Sequence, residues 1–300
     1  MSPNLVKSEK LIRRVFLVLG AVLLFYVLFN IKIEEVAQSF NLLGGSIILL
    51  MLILVAELAL KSLRFAFLMN RIEKIKFIES FRMVFETAMF VMYTPGKAGE
   101  VMKLDILKQK HGIRRTNTFA VLVFERVYDL IIVTIFSIGV LFTLGLNFYP
   151  IFIVLAIIPI AVLALYKIGI FRGTISRVFA SIKRIGDKKN ILVAGILTLL
   201  IWLTDALIPY YTLRSLGYSV PFLELLSFYY TSVLVGLLSM IPGGLGSTEF
   251  SFSLILSKLA NVQSAHAAIT IIIERVVAFI VCVWGVFLYF NDYRKIMKKR

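Results

Sequence analysis

The sequence predicts an all-α polytopic membrane protein built from two inverted-topology repeats. Three observations carry that expectation. Apolar residues make up 60% of the 300 residues and gather in runs close to the ~20 residues that a helix needs to cross a bilayer core. A helix-breaking motif occurs twice, as Thr94-Pro95-Gly96-Lys97-Ala98-Gly99-Glu100 and as Ile241-Pro242-Gly243-Gly244-Leu245-Gly246-Ser247-Thr248-Glu249. Basic residues collect overwhelmingly in every second one of the segments between the runs.

Taken in order, residues 1–14 carry Lys7, Lys10, Arg13 and Arg14, and a first span follows over 15–31. The only small-x-small site, Ala37-Gln38-Ser39, lies too far past the apolar core for a signal peptidase, so this span is expected to stay uncleaved. Further apolar runs cover 42–60, 119–146, 148–166, 191–213 and 267–290. Two shorter pieces, 83–93 and 225–241, end at the two motifs. Proline removes a backbone donor and glycine eases a sharp turn, so neither motif continues a helix. Irregular backbone facing lipid is not tolerated, so each motif is expected at the tip of a pair of half-helices, buried in protein or lining a cavity. The expectation is six full spans plus two re-entrant hairpins, or eight spans if the hairpins cross.

The duplication is read from residues at nearly constant offset. Glu100/Glu249, Glu125/Glu274 and Arg126/Arg275 stand 149 apart, Glu57/Asp205 148 and Pro95/Pro242 147. A run of matches in one order reads as an internal repeat. The chain is thus one membrane domain, 1–300, with repeats over about 42–146 and 191–290 joined by a linking span at 148–166.

Of 33 Lys and Arg residues, 28 fall in segments 1–14, 61–82, 97–115, 167–190 and 291–300. The intervening outer segments hold only Lys32, Arg214 and Lys258, and Arg126 and Arg275 lie within spans. This split predicts a cell-membrane protein with both termini cytoplasmic. The first hairpin then opens from the cytoplasmic side and the second from the outer side, as inverted repeats require. A net charge of +16 so distributed speaks against a nucleic-acid partner.

Ionisable residues at membrane depth cost about 2.5–3.5 kcal/mol each on insertion scales. This chain keeps Glu57, Glu86, Glu125, Arg126, Asp129, Asp205, Glu274 and Arg275 in or near spans, with Glu100 and Glu249 at the motifs. Mutual neutralisation explains any one of them; for the set, a polar pathway is the stronger reading. Glu100 and Glu249 open the helices after the turns, where capping alone accounts for a carboxylate. The alternative is that the free N–H groups of each half-helix receive an anionic head group, with the carboxylate balancing Arg126 or Arg275 until it arrives. The candidate substrate-binding residues are therefore Arg126, Arg275, Glu100, Glu125, Asp129, Glu249, Glu274 and Lys97. The turns themselves are set by Pro95, Gly96, Gly99, Pro242, Gly243, Gly244 and Gly246. Lys97 and Asp129 have no charged counterpart in the second half, where Gly244 and Ala278 stand. The lone Cys282 and the distant His111 and His266 give no disulfide or metal spacing, and no phosphate-binding G-x-x-x-x-G-K-[ST] loop occurs. No cofactor is expected.

P-G-x-x-G-E followed by Glu125-Arg126-x-x-Asp129, then P-G-G-L-G-x-x-E before a helix with Arg275, resembles the transmembrane-region family of lysylphosphatidylglycerol synthase. These are the flippase-like domains of multiple-peptide-resistance factors and their stand-alone bacterial and archaeal relatives. The resemblance spans about residues 10–292. It implies a lipid translocator, moving a phospholipid or a polyprenyl-phosphate-linked lipid between leaflets, with membrane lipids and a separate lipid-modifying synthase as partners. The sequence ends at Arg300, past its last span, which leaves no room for an aminoacyl-transferase domain; no enzymatic activity is expected. The rival classes are a membrane-embedded transferase and an accessory subunit in lipid-linked glycan or aminoacyl-lipid synthesis.

The charge split predicts that, with Cys282 replaced, single cysteines at Ser181 and at Gly217 react with a membrane-impermeant maleimide from the cytoplasmic and the outer face respectively. Labelling of both from one face would remove the inverted arrangement.

Overall fold

A computed structural model describes residues 33–143, 172–239 and 241–297 of the chain. The expected first span, 15–31, and the linking span, 148–166, lie outside the described residues. Those described form ten α-helices and no strand. They are α1 (Ile33–Leu43), α2 (Ser46–Met69), α3 (Phe77–Tyr93), α4 (Met102–His111), α5 (Arg115–Thr143), α6 (Arg172–Ile185), α7 (Lys188–Ser215), α8 (Phe222–Leu238), α9 (Ser247–Leu259) and α10 (Ser264–Met297). Two 3-10 turns, Pro95–Val101 and Pro242–Gly244, interrupt the series at the two motifs. The order long helix, 17-residue helix, 3-10 turn, short helix, long helix therefore runs twice, first through α2, α3, α4 and α5 and again through α7, α8, α9 and α10.

Among the described residues three helices are long and apolar enough to cross a membrane: α2, α7 and Ser264–Asn291 within α10. The 29-residue α5 has the length, but it carries Arg115, Glu125, Arg126 and Asp129. Large apolar side chains such as Ile48, Leu52, Leu192, Trp284 and Phe287 point outward, the pattern of a bundle solvated by lipid tails.

The first helices of the two series pack along each other and run antiparallel. Ser46 at the start of α2 meets Ser215 at the end of α7, and Arg64 near the end of α2 meets Thr198 in the first half of α7. The remaining helices exchange partners. The 17-residue helix of each repeat packs on the last helix of the other, α3 on α10 and α8 on α5. Both crossings are made close by a glycine. A Cβ at Gly285 would strike the Phe85 carbonyl, and one at Gly139 would strike the Ser227 hydroxyl. Small residues at a crossing let helix backbones approach within the membrane, where no hydrophobic force separates helix contacts from lipid contacts.

Two details alter the sequence reading. Helix α2 runs on to Met69 instead of ending near Leu60, so Lys61 and Arg64 are helical and belong to the bundle. Ser181 turns inward, buried against Asn117, and Gly217 sits at φ +87. The exposed neighbours Lys183 and Ser219 are the better cysteine positions for testing the topology.

The second turn requires left-handed backbone at Gly243, Gly244 and Gly246, with φ of +61, +62 and +81. A side chain in such a conformation costs of order 1–3 kcal/mol. Gly246→Ala is expected to lower the thermal unfolding midpoint in detergent, whereas Gly45→Ala, with φ −66 and open space around it, leaves it unchanged. Equal midpoints would show that the turn tolerates ordinary residues.

Candidate functional site: a charged cavity where the two turns meet

Each turn is stitched by its own residues. In the first, Thr94 Oγ1 accepts from the Gly99 N–H at 2.7 Å and donates to the Phe90 carbonyl at 2.7 Å. Gly99 lies flat against the end of α3, where a Cβ would strike the Phe90 carbonyl. In the second, the Gly246 N–H donates to Glu249 Oε2 at 2.8 Å, and Ser247 Oγ donates to the Gly244 carbonyl at 3.0 Å. The two turns touch each other. A Cβ on Gly243 would stand 2.7 Å from the Met92 carbonyl oxygen, so the contact between turns needs glycine.

Behind the meeting point lies a cavity of about 260 Å³ lined by residues of both repeats. Its walls mix apolar groups, among them Leu54, Val84, Ile201 and Leu237, with an unusual density of charge. The same ion pair occurs in each repeat. Arg126 Nη2 donates to Glu100 Oε1 at 2.9 Å, and Arg275 Nε donates to Glu249 Oε1 at 2.5 Å. Glu100 lies within the first 3-10 turn, two residues before α4, where the sequence placed it at the opening of a helix, whereas Glu249 does sit in the first turn of α9. In each half the guanidinium comes from the long helix that follows. Both arginines line the cavity, and their side chains are 32% and 15% exposed. Arg126 Nε is buried with no hydrogen-bond partner among the described residues.

The predicted residues Glu100, Glu125, Arg126, Asp129, Glu274 and Arg275 all line this one cavity, with Glu57 and Asp205 from α2 and α7. Glu249 is fully buried and stands behind Arg275, shared between its guanidinium and the Gly246 N–H; it orients the cation instead of facing the space. Gly243 and Gly244 form part of the wall. The side chains of Pro95, Gly96 and Lys97 lie outside the described residues. Glu86 is buried and pairs with Arg82 Nε at 2.9 Å and Lys110 Nζ at 3.4 Å, which fastens α3 to α4 away from the cavity.

Three cations that hydropathy places in the basic segments between spans belong to this cluster. Arg64 is buried and donates through Nε to Glu125 Oε1 at 3.0 Å, and through Nη1 to Asp129 Oδ1 at 2.7 Å and Thr198 Oγ1 at 2.9 Å. Lys61 pairs with Glu57 one turn away. Lys103 is buried beside Glu100 at 3.4 Å. Removing these three leaves 25 basic residues against three on the opposite side, so the charge bias keeps its sign. The signal was available: Glu57, Lys61 and Arg64 follow the i, i+4, i+7 spacing of one helix face. Trp202, whose Nε1 donates to Asp129 Oδ1 at 3.1 Å, had no sequence signal beyond its type.

In the second half tyrosines stand where the first half uses cations. Tyr229 donates to Glu274 Oε1 at 2.9 Å, and Tyr230 donates to the Trp202 carbonyl and lies 3.4 Å from Asp205 Oδ2.

The family described as the lysylphosphatidylglycerol synthase TM region matches residues 14–285 of this chain. A UPF0104 membrane protein of Methanothermobacter thermautotrophicus is 27% identical over 93 residues, covering 31% of this chain and 27% of that protein. A UPF0104 membrane protein of Pyrococcus horikoshii is 26% identical over 229 residues, covering 62% of this chain and 68% of that protein. The chain thus spans about a quarter of the first relative's length and about two thirds of the second's.

Arg64 is the residue on which the first-half cluster depends. Breaking a buried ion pair by removing one partner costs about 3–5 kcal/mol, because the other charge stays buried. Arg64→Gln is expected to lower the unfolding midpoint strongly, and Arg64→Gln with Glu125→Gln to regain part of the loss. A single variant that unfolds with the wild type would mean that water reaches the carboxylates.

Proposed function

Because the chain belongs to the family of the lysylphosphatidylglycerol synthase transmembrane region, we propose that it is a lipid translocator. It carries a phosphate-bearing lipid, either a phospholipid or a polyprenyl-phosphate-linked one, between leaflets of the cell membrane. The observation that carries this reading is the repeated Glu–Arg pair: Glu100 with Arg126 and Glu249 with Arg275, each tied to a helix-breaking turn and both arginines lining one cavity.

The chemistry suits a lipid phosphate. Guanidinium stays charged and meets phosphate oxygens through a planar fork. In the resting arrangement each arginine is held by a carboxylate, which a phosphate would displace. The apolar part of the wall accepts the glycerol or first acyl carbons while the charged part takes the head group. No bound nucleotide is called for in this scheme; energy comes from an ion gradient, or transport is passive.

The architecture is compatible with alternating access. Corresponding helices α2 and α7 run antiparallel, which supports inverted repeats related by an axis in the membrane plane. Each 17-residue helix is about 25 Å long at 1.5 Å per residue, short of a full bilayer core. We take α3 with α4, and α8 with α9, as the two re-entrant pairs, whose turns meet inside the bundle. In this reading one arginine serves each leaflet, both termini lie in the cytoplasm and the first pair opens from that side.

The decisive variants concern Arg275, because Glu249 is its ion-pair partner here, whereas Arg126 also meets Asp129 at 3.1 Å. If the pair only holds helices together, Arg275→Gln with Glu249→Gln restores folding and transport at once, since no charge is left unpaired. If Arg275 receives phosphate, the double variant folds yet binds anionic lipid roughly ten- to a hundredfold more weakly, the loss of a charge-assisted hydrogen bond. The assay is leaflet exchange of a labelled phospholipid in reconstituted vesicles, and recovered exchange in the double variant would return Arg275 to the scaffold. The same assay separates the translocator from a transferase or accessory subunit, neither of which moves lipid alone.

A further inference from the structure

The two repeats place a glutamate at the same point of their last helices but treat it differently. In the first half Glu125 receives the buried guanidinium of Arg64 at 3.0 Å. In the second half Glu274 also lines the cavity, yet among the described residues its only hydrogen bond is from the Tyr229 hydroxyl to Oε1 at 2.9 Å. Its Oε2 is buried and has no partner among the described residues. The offset of 148 that relates Glu57 to Asp205 explains the difference, since it places Pro209 and Thr212 where the first half has Lys61 and Arg64. The second copy has lost both cations of that helix face and kept the acid.

The charged and titratable groups around Glu274 do not neutralise it. On α10 the adjacent Arg275 is bound to Glu249 of α9 at 2.5 Å. On α2 Lys61 is bound to Glu57. Helix α7 brings Asp205, a further acid, and α8 brings Tyr229 and Tyr230. Cys282 of α10, ordinarily uncharged, also lines the cavity. Arg275, already bound to Glu249, only partly offsets the nearby acids Asp205 and Glu57. A buried carboxylate oxygen with no hydrogen-bond partner is costly when charged, and binding a proton removes that cost.

We propose that Glu274 binds a proton and that this proton travels with the lipid. The inference rests on the translocator reading above and names its coupling ion. The coupling is electrostatic. With Oε2 protonated the cavity beside Arg275 is less negative and admits a lipid phosphate. Once the cavity opens to the other side the proton leaves Oε2 to water, the restored carboxylate repels the phosphate, and lipid and proton depart together. The direction of lipid flow follows the proton gradient.

The test uses the full chain in vesicles of phosphatidylglycerol and phosphatidylethanolamine containing head-group-labelled phosphatidylglycerol, with the membrane potential clamped. One proton per lipid allows a gradient of one pH unit to shift the leaflet ratio by up to about tenfold. The label is expected to accumulate in the leaflet on the alkaline side, and reversing the gradient should reverse the accumulation. In Glu274→Gln the ratio should stay at its value without a gradient, and proton entry driven by lipid should vanish. Lipid that equilibrates in the wild type with no response to either gradient overturns the coupling and leaves the translocator standing. Lipid that does not move at all overturns both. Infrared spectroscopy of the purified protein decides the proton site apart from transport: a carboxylic acid band at neutral pH, lost in Glu274→Gln and shifted in Tyr229→Phe, is expected. A wild-type spectrum with no band that Glu274→Gln removes would show Glu274 ionised and end the proposal.

Discussion

The interaction on which the rest of the structure depends is the buried fork of Arg64. One guanidinium from α2 reaches Glu125 and Asp129 on α5 and Thr198 on α7, so three helices of two repeats are held by one charged group. An ion taken out of water is stable only when its partners replace the lost hydration, and here four hydrogen-bond contacts do so within 3.4 Å. Trp202 completes the shell of Asp129 from α7. Arg126 Nη2 lies between Asp129 Oδ2 at 3.1 Å and Glu100 Oε1 at 2.9 Å, which ties this cluster to the turn. The order of dependence runs from a satisfied acid pair, to the orientation of Arg126, to the cavity wall.

Exchanged packing makes that cavity a property of the whole chain. Since α3 lies on α10 and α8 on α5, neither repeat can bury its own 17-residue helix without the other. The turns that follow those helices are thereby brought into contact, with Gly243 against the Met92 carbonyl. Backbone polar groups unpaired at a turn could not face lipid. They are satisfied instead by Thr94, Ser239, Ser247 and Glu249, side chains a few residues away. A shift of either turn must displace the other, which gives the two halves of the bundle a mechanical link at the site itself.

Much of this was legible in the sequence, because the constraints that shape a membrane chain leave traces in residue type. The Pro-Gly motifs mark breaks since few other residues make them, and both breaks are 3-10 turns in the structure. The spacing from Glu100 to Arg126 and from Glu249 to Arg275 is the spacing of two real ion pairs. What was not legible depends on partners from distant helices. Arg64 reads as a loop cation because a window of hydropathy ends where charge begins, whereas the helix continues to Met69 and turns Arg64 inward onto residues 61 and 65 positions away. Glu249 reads as a contact residue, yet only the fold reveals that Arg275 stands in front of it. The exchange of helices between repeats left no trace in pattern at all, since each helix looks the same whichever neighbour buries it.

The asymmetry between the halves is the feature that duplication alone does not explain. Two copies of one unit begin with equivalent charges, and drift in a bilayer is limited because an acid that loses its cation becomes a buried, unpaired group. The first half keeps Lys61, Arg64 and Asp129; at the matching places the second has Pro209, Thr212 and Ala278. Losing Asp129 together with Arg64 is a balanced change, one acid and one base. The place of Lys61 holds no base in the second half, where Asp205 remains at the place of Glu57 and Glu274 at the place of Glu125, and Lys61 of the first half attracts Asp205 across the bundle. Tyr229 and Tyr230 supply hydroxyls to those two acids, which relieves hydrogen bonding but adds no charge. A scaffold would gain from replacing Glu274 with an apolar residue of similar size. Its retention at a cavity wall, beside the arginine present in each half, accords with the proton-binding role proposed above.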